Sequence, residues 1–284
     1  MDTAIRFPDF IIGGAPKCGT SSLYFWLADH PQLCASKVKE TNYFADKVGT
    51  SNAERNFINN GVDDYSHFFK HCNNQVKAYE ASSHYLYDEN ALNHLTALPT
   101  NPKFIFILRD PKAQIHSHYR MLKYRVKRFN GDLNEYLERP NVTYQAEYVT
   151  FLKKWYNKIG ADRVKVMIFE DLMKNKESNL LSVCDFLGVD KSFYKNFDFQ
   201  HRNETVAIKS GWLHKTGLKL QPLIPTSVQK ALVPLYLKMN SNALPKKTDE
   251  EQKALEKLNP FAERIKKEVN AFLPDLDVSS WNKK

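Results

Sequence analysis

This sequence predicts an α/β fold: a single domain over residues 1–284, with a central parallel sheet flanked by helices and a helical C-terminal part. Three observations carry that expectation. Short, continuous apolar runs alternate with segments of helical period, as parallel strands covered on both faces require. The first of those runs ends in a glycine turn that leads directly into a helix. Past Asp190 the strand-like runs stop, and Pro222, Pro225, Pro234 and Pro245 punctuate stretches of helical character.

The elements follow in order. Phe10-Ile11-Ile12 reads as the first strand, closed by Gly13-Gly14, and residues 20–30 carry a helical pattern that stops at Pro31. Leu33-Cys34-Ala35 makes a second short strand, residues 76–79 a third, and residues 89–98 a helix. Lys103-Phe104-Ile105-Phe106-Ile107-Leu108 is the clearest strand, because its apolar run is unbroken. Helices are expected at 112–128 and 144–158, with a strand at 164–169. In the helix at 175–187, Leu180, Leu181, Cys184 and Leu187 fall at helical spacing and Gly188 supplies the stop.

Composition narrows the class. With 42% hydrophobic and 26% charged residues the chain has the balance of a soluble globular protein. It lacks the roughly 18 consecutive apolar residues of a membrane span. Its start, Met1-Asp2-Thr3-Ala4-Ile5-Arg6, has no basic region followed by an apolar one, so a cytoplasmic protein with no membrane partner is expected. Forty-one Lys and Arg against 32 Asp and Glu give +9, an excess that attracts a polyanion or a highly charged nucleotide. No zinc finger, RNA-recognition signature or long basic tract is present, so no nucleic-acid partner is expected. Cys18, Cys34, Cys72 and Cys184 are scattered, without Cys-x-x-Cys pairs or histidines at zinc spacing, which predicts free thiols and no metal. Asn141-Val142-Thr143 and Asn203-Glu204-Thr205 match the glycosylation tripeptide, a pattern that recurs by chance.

The turn after the first strand runs Gly13-Gly14-Ala15-Pro16-Lys17-Cys18-Gly19-Thr20-Ser21-Ser22 and then becomes helix. That order builds an anion cradle: glycines admit the ligand to the backbone, the amides point inward, and the helix start adds partial positive charge. Gly14 and Gly19 keep the spacing of a triphosphate loop, which implies a P-loop nucleotide-binding-like core. A Walker loop continues with lysine after the second glycine. Here Thr20 stands in that place and Lys17 lies two residues before Gly19, so an ATP-dependent phosphotransferase with Ser21 on magnesium is the alternative rather than the leading reading. A non-enzymatic nucleotide- or polyanion-binding protein is the other alternative.

The strongest strand ends in Arg109-Asp110-Pro111, with Ser117 eight residues on in the next helix. An arginine fork at the carboxyl end of a parallel strand suits a phosphate, and Ser117 adds a hydroxyl two helical turns away. The pair of motifs, Lys17-Cys18-Gly19-Thr20-Ser21-Ser22 and Arg109 with Ser117, resembles the 5′-phosphosulfate loop and 3′-phosphate site of sulfotransferases. These enzymes use 3′-phosphoadenosine-5′-phosphosulfate (PAPS), and the likeness is to their carbohydrate and bacterial small-molecule branch. Further segments are similar to that family's landmarks. They are Lys39-Glu40-Thr41-Asn42-Tyr43-Phe44, Glu80-Ala81-Ser82-Ser83-His84-Tyr85-Leu86, Phe169-Glu170-Asp171-Leu172, Phe186-Leu187-Gly188 and Leu276-Asp277-Val278-Ser279-Ser280-Trp281. Ile208-Lys209-Ser210-Gly211-Trp212-Leu213 resembles a segment near the 3′-phosphate, with Lys209 where the family carries arginine.

The resemblance implies transfer of a sulfuryl group from PAPS, with no metal, to a hydroxyl or amine of a small-molecule acceptor of natural-product type or of a carbohydrate. It implies Lys17 on the leaving phosphate oxygen and Glu40 as the general base, with His84 as the rival or assistant because imidazole titrates near neutrality. Cys18, Gly19, Thr20, Ser21, Ser22, Arg109, Ser117, Lys209, Ser210, Gly211 and Trp212 complete the donor site. Ala81 stands where heparan-type enzymes often carry lysine, which points away from a polysaccharide. The cationic run Arg120, Lys123, Arg125, Lys127 and Arg128 reads as the solvated face of a helix, with a receiving surface for an anionic acceptor such as a glycan as the alternative.

Overall fold

The computed structural model describes residues 6–49, 51–73, 75–199, 207–210, 232, 236 and 239–282. Five strands form one sheet: β1 (Phe10–Gly14), β2 (Leu33–Ala35), β3 (Lys77–Ala81), β4 (Lys103–Leu108) and β5 (Val164–Ile168). Their order is β2-β3-β1-β4-β5, and every pairing is parallel. The apolar runs explain this placement. All of β1 is buried, and β4 is buried from Phe104 to Leu108, as central parallel strands must be. Phe10 pairs with Tyr79 on one side and Lys103 on the other, and the β1–β4 register slips between Ile12 and Gly14, where the chain leaves the sheet.

Helices cover the sheet through aromatic contacts. In α1 (Thr20–Ala28), Tyr24 meets Tyr79 with ring centres 5.5 Å apart, and the Tyr79 hydroxyl donates to the Tyr24 carbonyl at 2.6 Å. α2 (Phe57–Asn60) is one short turn, and α3 (Glu89–Leu95) ends where the Thr96 hydroxyl donates back to the Leu92 carbonyl at 2.6 Å, three residues before the expected end. α4 spans Pro111–Arg120 and α5 Leu133–Leu137. From α6 (Tyr148–Ile159), Trp155 lies 4.6 Å from the Phe104 ring and donates to the Leu86 carbonyl at 3.1 Å. α7 (Phe169–Lys174) and α8 (Lys176–Leu187) follow β5, and α9 (Asp249–Glu256) and α10 (Asn259–Phe272) close the chain. No helix among the described residues is long and apolar enough to cross a membrane.

Several expectations need correction. The helix expected at 112–128 ends as α4 at Arg120 and passes into a wider π turn at Met121–Arg125, closed by the Val126 amide on the Met121 carbonyl. Strands do not stop at Asp190: β6 (Ala207–Ile208) pairs antiparallel with β7 (Ser241–Asn242). The four thiols are not all free. Cys34 and Cys72 form a disulfide with Cα atoms 5.8 Å apart, because β2 and the turn after the 3-10 helix Asp63–Phe69 meet in space, while Cys18 and Cys184 are free and buried.

The chain divides into two compact units, Met1–Gln114 with Thr143–Arg202 and Pro260–Lys284, and Ile115–Val142 with Asn203–Asn259. The first holds the five-stranded sheet. Within the second, Glu251 of α9 accepts from Arg120 at 3.4 Å and lies 3.3 Å from His116, and the Lys123 ammonium donates to the Tyr119 hydroxyl and Gly131 carbonyl at 2.9 Å each. Part of the basic run is thus engaged by its own unit rather than merely solvated.

Candidate active site

Parallel pairing brings all five strand ends to one edge, and a candidate residue follows most of them: Lys17 after β1, Glu40 after β2, His84 after β3 and Arg109 after β4. β1 lies between β3 and β4, so the connections leaving it and β3 run to opposite sides. Such a switch point opens a crevice at the carboxyl ends, where ligands of open α/β sheets bind.

The first loop is built for an anion. α1 begins at Thr20 with no side-chain cap and no acidic residue in its first turn, which leaves its opening amides and partial positive charge to a ligand. Gly19, the residue before it, has φ 86°, and a Cβ there would sit 2.7 Å from the Phe169 ring, so only glycine fits. Thr20 is nearly buried and Ser21 and Ser22 half-buried beside it. Cys18 does not face the cradle: its thiol is buried and pushed up to about 12 by that burial, and its amide donates to the Ala15 carbonyl at 3.3 Å.

Arg109 ties this loop to β4. One Nη1–H donates to the Lys17 carbonyl at 3.0 Å, and the guanidinium lies 4.4 Å over the Phe169 ring. Its Nε is buried without a hydrogen-bond partner, 4.0 Å from a Glu170 oxygen. Burial raises the Glu170 carboxyl, against the pull of the Asp110 amide and Arg109. An orphaned guanidinium N–H beside an arginine already holding the loop fits an anionic ligand at this strand end.

Backbone strain marks the same places. Among the described residues seven non-glycines have positive φ, and besides asparagines, which tolerate this region, they are Lys17 (66°), Glu40 (60°) and Lys127 (53°). Strained backbones of this kind persist where the surroundings fix them, and they cluster at functional sites. Lys17 is fixed through its carbonyl by Arg109. The Glu40 amide donates to the Ala81 carbonyl at 2.8 Å, and its carboxylate accepts from the Ser83 amide at 2.8 Å, the Ser83 hydroxyl at 3.1 Å and the Lys39 ammonium.

The two rival bases turn out to be neighbours. Packing of protein around the ring lowers the His84 imidazole below its usual value although the residue itself is exposed at the surface, and the Glu40 carboxylate opposes that shift. His84 therefore stays neutral at pH 7 and able to accept a proton. Its Nε2 lies 3.5 Å from the Gln145 amide nitrogen at the rim of a cleft of about 570 Å³, whose walls include Asn42, Asn52, Tyr87 and Tyr144.

Beneath Glu40 lies a network that the motifs did not reveal. Glu80 is fully buried on β3 and accepts from the Thr41 hydroxyl, the Tyr65 hydroxyl at 2.6 Å and the Ser82 hydroxyl at 3.2 Å. Burial raises its pKa and those donors lower it. The network pins Thr41, the neighbour of Glu40, to the sheet.

The cleft floor supplies a pH test. Burial, with Asp46 alongside, pushes the Asp88 carboxyl from 3.8 up to about 7, and Asp88 Oδ1 accepts from the Asp46 amide at 2.9 Å. The folded state keeps this proton to higher pH than the unfolded chain, so stability falls as pH rises from about 4 to about 7. Asp88→Asn keeps the acceptor oxygen and removes the titration. Melts across pH should show the variant matching the wild type near pH 4, gaining on it as pH rises to about 7 and holding a constant lead above that; parallel curves across the window would contradict the shift.

In the second unit, Ser117 lies half-buried on α4. The Lys209 amide and ammonium donate to the Asn240 and Met239 carbonyls at 2.9 and 3.2 Å, and the Ser210 amide donates to Asn240 Oδ1 at 2.9 Å. Gly211 and Trp212 lie outside the described residues.

An uncapped helix start, a strained lysine and a carboxylate–imidazole pair thus share one edge of a parallel sheet. The family model described as the sulfotransferase family matches residues 8–193, and the chain belongs to that family, whose sulfuryl donor is PAPS. It is 31% identical over 119 residues to the human bifunctional heparan sulfate N-deacetylase/N-sulfotransferase 3, covering 41% of this chain and 13% of that protein. It is 30% identical over 132 residues to the membrane-associated sulfotransferase kil1 of Dictyostelium discoideum, covering 45% of this chain and 26% of the relative. The matches therefore span only 13% and 26% of these relatives' lengths. The solved sulfotransferase of Alicyclobacillus acidocaldarius superposes with a TM-score of 0.68 over 98% of this chain and 100% of its own, at 19% identity, which establishes the shared fold.

Proposed function

We propose that this chain moves a sulfuryl group from PAPS to a hydroxyl or amino group of a small-molecule or carbohydrate acceptor, in a cytoplasmic setting. The observation that carries the reading is the placement, at one edge of the sheet, of an uncapped helix start beside Lys17 and of Glu40 next to His84, which lines a cleft. PAPS supplies the sulfuryl group and a phosphate leaving group. The α1 amides and the hydroxyls of Thr20, Ser21 and Ser22 hold the 5′ anion, and Lys17 offsets charge developing on the leaving oxygen. Glu40 takes the acceptor proton, with His84 beside it. Arg109 takes the 3′-phosphate through the part of its fork that the loop leaves open. The assignment of Ser117, Lys209, Ser210, Gly211 and Trp212 to the nucleotide rests on their sequence pattern and is part of this proposal.

Sulfuryl transfer, like phosphoryl transfer, needs mainly positioning and charge stabilisation, which these groups provide. The cleft volume of about 570 Å³ suits a small ligand. Its amide and phenol walls favour a polar, hydroxylated acceptor, and Asp46 and Asp88 disfavour a polyanionic glycan. Thermal melts with three ligands separate the possible classes. PAP, the desulfated donor, should raise the melting point, since a ligand that binds only the native state stabilises it by mass action. Stabilisation by Mg-ATP alone would favour a phosphotransferase, and by heparin alone a polyanion-binding protein.

A further inference from the structure

The Cys34–Cys72 bridge joins the end of β2 to the turn after the 3-10 helix, and the chain between them carries Glu40 and its anchor Thr41. We propose that this disulfide is a thiol-exchange site, opened by a thiol or dithiol reductant, and that its closed form orders the loop presenting Glu40. The consequence for turnover rests on the reading of Glu40 as a base; the consequence for loop order does not.

Three observations converge on it. The two sulfurs differ in access: Cys34 is 5% exposed, whereas Cys72 is only half-buried, so an incoming thiolate meets Cys72. Cys34 is then the leaving sulfur, and His71 is already beside it. Its Nε2 lies 3.1 Å from the Ala35 carbonyl, which makes that nitrogen the N–H donor, and 3.6 Å from Cys34 Sγ. A donor at a departing thiolate lowers its pKa and speeds its release. Finally, the Glu40 loop is tied to the sheet side by hydrogen bonds, including Thr41 to Glu80 and the Asn42 amide to the Ser82 hydroxyl at 3.0 Å, and the bridge is the covalent tie that closes the segment carrying them. The Glu40 amide on Ala81 and the Ser36 amide on the Tyr79 carbonyl at 2.7 Å are two more of these bonds, and Val38, Val48 and Ile58 in the same segment are exposed.

The exchange balances as follows. A reductant thiolate attacks Cys72 Sγ, the Cys34–Cys72 bond breaks, and the electron pair leaves on Cys34, which is stabilised by the His71 N–H and then protonated from solvent. The reductant's second thiolate attacks its own sulfur in the mixed disulfide and releases Cys72. The protein gains two thiols and the dithiol becomes a disulfide. Cytoplasmic disulfides are characteristically transient or redox-sensing, which suits the setting proposed above.

The test uses the full chain, oxidised, reduced with excess dithiothreitol, and reoxidised. Alkylation with mass detection should find Cys34 and Cys72 newly reactive, and amide hydrogen exchange within residues 36–70 should speed by about tenfold or more and recover on reoxidation. Turnover should fall several-fold with PAP affinity unchanged. His71→Ala should slow reduction by about three- to tenfold, a rate that a purely structural histidine would not alter. Cys34→Ser with Cys72→Ser should reproduce the reduced state, and reversible reduction of the wild type carries the test if that variant does not fold. Unchanged exchange in the reduced protein, or a bridge that stays closed in excess dithiothreitol, overturns the proposal. Absence of sulfuryl transfer in both states would instead overturn the enzymatic reading, and the exchange result would still decide the clamp.

Discussion

Glu40→Gln should lower turnover by about 10²–10⁴ while leaving PAP affinity and fold in place, the range expected when a general base is lost. The amide keeps an oxygen for the Ser83 amide and hydroxyl, which now bond the carboxylate at 2.8 and 3.1 Å, so the loop retains its anchor. His84→Ala should be milder. The imidazole lies close enough to feel the Glu40 charge, but Glu40 is the group held in place by three donors, whereas His84 meets the Gln145 amide nitrogen at 3.5 Å on an exposed rim. Turnover and PAP affinity measured for both variants between pH 5 and 9 distinguish the roles. If His84 is the base, Glu40→Gln stays active, His84→Ala is inactive, and the acid limb of the wild-type profile falls below pH 6.5 because the protein packed around the ring moves the imidazole down.

Lys17→Ala should have an effect of similar size on turnover, about 10²–10³, and a much smaller one on PAP affinity. The reason is that charge on a developing leaving group matters most in the transition state. The backbone of Lys17 is held at φ 66° by Arg109 through its carbonyl, so a substitution at the side chain leaves the loop's main tie intact. Lys17→Arg tests position against charge. A partial rescue fits a lysine acting as a point cation, and unchanged turnover in Lys17→Ala would remove it from the chemistry.

What the sequence made legible follows from how local each signal is. The run Lys103–Leu108 is a strand in itself, because an unbroken apolar segment of that length is stable only when both faces are covered. The loop from Gly13 to Ser22 was legible for a similar reason, since glycine spacing, hydroxyls and a helix start all lie within ten residues. The packing of residues 45–76 was not. Their 3-10 helix is held by Tyr65, Phe68 and Phe69 in an aromatic cluster and by Glu80 from the following strand β3, and no periodicity announces such packing. The bridge between Cys34 and Cys72 escaped notice because 38 residues separate them and no spacing motif links them.

At the site, sequence order supplied the residue types and the structure supplied their neighbours. Glu40 and His84 are competing bases when read along the chain, but adjacent strand ends make them a pair. Arg109 reads as a free phosphate fork, yet part of that fork holds the Lys17 carbonyl. Cys18 belongs to the loop motif, but its thiol turns into the core. Positive φ at Lys17 and Glu40 has no sequence signature, since neither residue type favours it, and the strain becomes visible only in the backbone.

The most direct measurement of the central claim is transfer itself: the purified chain incubated with sulfur-labelled PAPS and a pool of small polar acceptors, with products resolved by mass. Labelled sulfate should appear on an acceptor with matching formation of PAP, and Lys17→Ala and Glu40→Gln should abolish most of it. PAP bound and the donor intact with every acceptor, while labelled phosphate from Mg-ATP is transferred instead, would contradict the account.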